Sequence, residues 1–128
     1  MLFYSASKFW ESGYKRDKIV AFCFYISVVL NVAMWVLLFW MIKPLSYLNE
    51  FGLVALHYNV YFGIDKVGSW FYVLVMPITG LIILIANTLI GYLLYLKDSL
   101  ISYTLSVSQL ITHVVLIVAT VLLILLNT

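Results

Sequence analysis

Three polar residues stand close together in an otherwise apolar stretch: His57, Asn59 and Asp65. An imidazole, an amide and a carboxylate at this spacing offer a base, a hydrogen-bonding group and an acid. Together they could bind a ligand group, or pin a loop by ordinary hydrogen bonds. Two good metal ligands fall short of the three or four that a metal site needs, so no metal or other cofactor is expected. Four further polar residues lie inside long apolar runs: Asn31, Asn87, Gln109 and His113. Polar groups at membrane depth are expensive and face other helices or a cavity. They can bond helices to one another, or His113 could relay protons in a transporter. No intramembrane carboxylate accompanies His113 to form such a path. The chain has five acidic residues, two histidines and one cysteine, Cys23. No phosphate loop, zinc spacing or nucleophile elbow is present. No catalytic residue is assigned and the chain is not expected to be an enzyme. No basic patch suits nucleic acid.

The elements that must carry these residues follow from composition. Of 128 residues, 66% are hydrophobic and 9% charged, against about 25% charged in a soluble domain. So few charges cannot cover a surface in water, so the surface must face lipid. Three apolar runs are read as transmembrane helices: residues 19–42, 70–96 and 101–126. The first has 24 residues and spans roughly 36 Å, enough for a bilayer core of about 30 Å. It is too long for a signal-peptide core and no cleavage pattern follows it. Lys43-Pro44 is expected to end it. Pro77 is expected to kink or loosen the first turns of the second. The fold class is thus all-α, a three-helix membrane protein with an ordered outer loop between the first two helices.

The other segments are a polar and aromatic stretch at 1–18, the loop at 43–69 and a turn at 97–100. Phe3, Trp10 and Tyr14 share one side of a helix, which suits a segment in the headgroup layer or a frayed tail. The short turn makes the second and third helices antiparallel neighbours. Stripes recur at helical spacing: Cys23, Ser27 and Asn31; Gly80, Asn87 and Gly91; Ser102, Ser106, Gln109 and His113. Matching depths suggests Asn31 against His113 and Asn87 against Gln109.

In residues 43–69, Val54 to Phe62 alternates as a strand does, and Gly63 and Gly68 bracket a turn around Asp65. Leu53, Val54, Leu56, Tyr58, Val60, Tyr61 and Phe62 are apolar enough that the loop should pack onto the helix ends. The stretch His57-Tyr58-Asn59, Gly63, Asp65 and Gly68-Ser69, followed by Pro77, resembles the short bacterial membrane domain of unknown function in Sdp-type immunity proteins. Ala55 stands where that pattern has proline, and Gly63 comes one residue late. The resemblance covers about residues 40–90. It implies a bacterial inner-membrane protein in whose family some members protect against a membrane-active toxin and take part in signalling.

Three functions are therefore weighed. The chain could recognise a protein partner through its outer loop, as an immunity or sensor-like protein would. It could be an accessory subunit of a larger membrane assembly. It could be a small transporter acting as a homo-oligomer. The lipid bilayer is a partner in each.

Five Lys and Arg residues lie at 8–18 and 97, against two at 43 and 66. The more basic side faces the cytoplasm, which predicts a cytoplasmic N-terminus and an outer C-terminus in the cell membrane. Single cysteines at Ser99 and Thr128, in a Cys23-free background, test this. A membrane-impermeant thiol reagent should label only the Thr128 variant on intact cells; the reverse pattern refutes the orientation.

Overall fold

The computed structural model describes residues 13–48 and 50–128. The expected segment at 1–18 therefore falls largely outside the described residues; of its aromatic side, only Tyr14 is placed. A short helix α1, Gly13–Arg16, leads into α2, Lys18–Leu48. Then come strands β1, Leu53–Asn59, and β2, Gly63–Ser69. Helix α3, Trp70–Leu94, and helix α4, Ser99–Asn127, complete the chain. The helices α2, α3 and α4 are each long and apolar enough to cross a membrane. All three pack against one another, with α2 and α4 parallel and α3 antiparallel to both.

Helix α2 does not stop at Lys43-Pro44. A π-helical turn at Leu38–Ile42 precedes the proline, and regular helix resumes over Lys43–Leu48. The backbone N–H of Lys43 bonds the Leu38 carbonyl, five residues back. Proline normally collides with the carbonyl four residues earlier. The wider turn relieves that collision, and so the helix absorbs Pro44. Pro77 breaks nothing either. Residues Trp70–Leu74 form a 3₁₀ turn and the α-helical part begins at Val75. Pro77 thus falls in the first α-helical turn, where its missing N–H costs no bond.

The seam between the helices changes character along its length. Near the hairpin it is hydrophobic, with Leu38, Ile42, Val54, Trp70, Val73, Leu123 and Ile124 buried together. The middle and far end are lined by small and polar residues. Cys23, Ser27 and Asn31 are buried on α2, and Ser102, Ser106, Gln109, His113 and Thr120 on α4. The three-and-four spacing puts each set on one helix face. Small residues let helix backbones approach where lipid supplies no hydrophobic drive between them.

Asp17 fastens the end opposite the hairpin. Its Oδ1 caps α2, accepting from the N–H groups of Ile19 and Val20 at 3.0 and 3.3 Å. Its Oδ2 accepts from the hydroxyls of Tyr95 at 3.0 Å and Tyr103 at 2.6 Å. One carboxylate thus joins α2 to α4 and to the end of α3. Burial pushes its pKa up, but these four hydrogen bonds outweigh burial and hold it below the ordinary value of 3.8. A depressed carboxylate contributes stability above its ordinary pKa and loses it as pH falls through the depressed one. Asp17→Asn should therefore lower thermal stability in detergent at pH 7, by about 1–3 kcal/mol. The gap to wild type should narrow as the pH is taken below 3.8. Melting curves from pH 7 to acid check this, and a gap that stays constant contradicts it.

Candidate functional site

The segment between α2 and α3 folds as an antiparallel hairpin. Leu53 pairs with Ser69, Ala55 with Val67, His57 with Lys66 and Asn59 with Gly63. The expected strand through Phe62 ends at Asn59, and the turn is Val60-Tyr61-Phe62. Asp65 lies within β2 rather than at a turn. Gly63 closes the three-residue loop with φ +75°, a left-handed conformation that glycine adopts at least cost. The register is irregular on either side of His57. Strict alternation fails as a result: neighbouring Val54 and Ala55 are both buried, as a bulge permits.

Of the three polar residues, two meet. His57 Nδ1 lies 2.7 Å from Asp65 Oδ1. Asn59 does not join them; its Oδ1 accepts from the Tyr61 N–H at 2.9 Å and shapes the turn. The His57 and Asp65 side chains are 62% and 36% exposed, so the pair adds at most about 1 kcal/mol to stability. What it does is orient the imidazole. Among the described residues no group of three His, Cys, Asp or Glu side chains could hold a metal ion.

The hairpin does not bury its apolar residues as a set. Val54 is 2% exposed, but Tyr58 is 55% and the tip residues Val60, Tyr61 and Phe62 are 84%, 89% and 83% uncovered by the chain. A three-residue turn projects beyond its strands, so only the base of the hairpin reaches the helices. There the anchor is Asn127. Its Oδ1 accepts from the Ala55 N–H at 2.8 Å and its Nδ2 donates to the Ala55 carbonyl at 2.9 Å. A side-chain amide thus takes the place of a neighbouring strand on the free edge of β1. Sequence reasoning missed this residue: an asparagine ending an apolar helix reads as a polar terminus.

The four intramembrane residues share the seam but not the expected pairs. Asn31 Nδ2 donates to the Pro77 carbonyl at 3.0 Å, and Asn31 Oδ1 accepts from Trp35 Nε1 at 3.2 Å. His113 Nδ1 bonds the Gln109 carbonyl of its own helix at 2.9 Å, and its buried Nε2 has no hydrogen-bond partner. Both side chains close over Gly80. A Cβ there would sit 2.8 Å from Asn31 Nδ2 and 3.2 Å from His113 Nε2. Asn87 Nδ2 donates to the Leu105 carbonyl at 3.2 Å, and the hydroxyl of its neighbour Thr88 reaches Gln109 Oε1 at 3.5 Å. Depth matching found the right layer. The bonding partners differ because backbone carbonyls offer acceptors that residue types do not reveal.

These contacts read as helix adhesion. Gly80→Ala should destabilise the bundle by about 1–3 kcal/mol, since the added methyl must displace Asn31. His113→Leu should be neutral or stabilising, because it removes a buried acceptor that is already unpaired. Thermal unfolding in detergent distinguishes the two; a large loss with His113→Leu would show that the imidazole is more than a packing group.

No family model, curated protein or solved structure matches the chain.

Proposed function

We propose that this chain is a non-catalytic membrane protein of the cell membrane that recognises a protein partner through its outer hairpin, as an immunity or sensor-like protein does. The carrying observation is the tip. Val60, Tyr61 and Phe62 lie 84%, 89% and 83% uncovered, while the base is held by buried Val54 and by Asn127. A stiff base and an uncovered aromatic tip pre-organise a contact surface, and aromatic anchors supply most of the energy at protein interfaces. The five-to-two basic bias puts the hairpin outside the cytoplasm, where a membrane-active toxin or an extracellular signal arrives. The resemblance of the loop to Sdp-type immunity proteins agrees with this reading.

Affinity capture in mild detergent, compared between wild type and Tyr61→Ser/Phe62→Ser at equal expression, tests the proposal. The double variant should lose its partner by about tenfold or more while melting at the wild-type temperature. Asn127→Ala should weaken capture less, by loosening the base. If both variants capture the same proteins as wild type, the chain is instead an accessory subunit held through its helices.

A further inference from the structure

Beneath the hairpin are two hollows that meet at a single polar rim. One, of about 610 Å³, lies between the hairpin and α3 and is lined by Lys66, Val67, Tyr72 and Val75. The other, of about 560 Å³, lies between β1 and α4 and is lined by Tyr58, Ala119, Leu122 and Leu126. Leu56, Met76 and Leu123 line both and form the ridge between them, and His57 also borders both. The walls are apolar side chains of two helices long enough to cross a membrane. Val75 and Leu122 are 59% and 61% exposed, so both hollows open sideways toward lipid.

The rim carries Lys66 and His57, with Asp65 bonded to His57. Asp65 engages His57 Nδ1, which leaves the Nε2 edge of the ring turned away from the carboxylate. Lys66 supplies an ammonium on the residue paired with His57 across the sheet. Asp65 is engaged by His57, which leaves the Lys66 ammonium to favour an anionic group.

We propose that this is a binding site for one anionic diacyl phospholipid of the surrounding leaflet. Its phosphate sits on Lys66 and His57, and one acyl chain lies in each hollow, astride the Leu56–Met76–Leu123 ridge. A soluble anion would use the rim and leave the hollows unfilled; the paired apolar hollows are what commit the site to a two-chain lipid. The assignment is independent of the partner proposed for the hairpin tip, since it uses the opposite, helix-facing side.

Native mass spectrometry of the detergent-purified protein, titrated with phosphatidylglycerol, phosphatidylcholine or inorganic phosphate, tests it. Phosphatidylglycerol should bind more tightly than phosphatidylcholine. Lys66→Ala should weaken phosphatidylglycerol about tenfold, the equivalent of one charge-assisted hydrogen bond, and Lys66→Arg should restore it. Ala119→Phe, which fills one hollow, should weaken both lipids; Leu122→Phe repeats that test should the first variant melt early without lipid. Equal retention of both lipids, unchanged by Lys66→Ala, would mean unspecific annular lipid and overturn the proposal. Displacement of phosphatidylglycerol by equimolar inorganic phosphate, with the hollow-filling variants silent, would reduce the site to an anion contact and overturn it as well.

Discussion

In an apolar solvent every backbone N–H and C=O must find its partner inside the chain. Three helices meet that demand within themselves, and even Pro44 and Pro77 are placed where they leave little unpaired: one behind a π-helical turn, the other in a first turn. A two-stranded hairpin cannot meet it alone, because each strand keeps an open edge. On β1 the edge is closed at Ala55 by the amide of Asn127, which donates and accepts as a strand would. One side chain at the end of α4 thereby sets where the hairpin sits, and with it the positions of His57, Asp65 and the tip.

The membrane seam works under the same constraint and a weaker force. Lipid is as apolar as leucine, so burial does not drive the helices together, and each interhelical hydrogen bond contributes on the order of 0.6 kcal/mol. Close approach makes up the difference. At Gly80 the absence of a side chain lets Asn31 reach the Pro77 carbonyl and brings His113 against α3. Asp17 joins all three helices at the other end, through bonds made to a charge and therefore stronger than the rest. The bundle is thus clamped at both ends and zipped by small residues between.

Holding the hairpin base while leaving its tip bare is costly unless something covers the tip. The same hairpin has a helix-facing side bordered by Lys66 and His57 over apolar hollows. A single supersecondary element therefore offers two chemically different surfaces, an aromatic tip and a basic rim over apolar hollows.

Much of the architecture was legible from residue types alone. The lack of charge in three long runs dictated three spanning helices, and four-residue spacing named the buried faces of Cys23, Ser27, Asn31, Ser102, Ser106, Gln109 and His113, all of which are buried. These are properties of one helix at a time, set by hydropathy and a 3.6-residue period. Residue types grouped His57, Asn59 and Asp65, but the hairpin register brings only His57 and Asp65 together. What the tertiary structure decided were the partners. Asn31 chose a carbonyl over His113, Asn127 chose Ala55, and Asp17 gathered Tyr95, just past α3, and Tyr103 on α4. Backbone acceptors look alike in every sequence, and which one a side chain reaches depends on helix rotation and depth. Those are fixed only when all the elements pack at once.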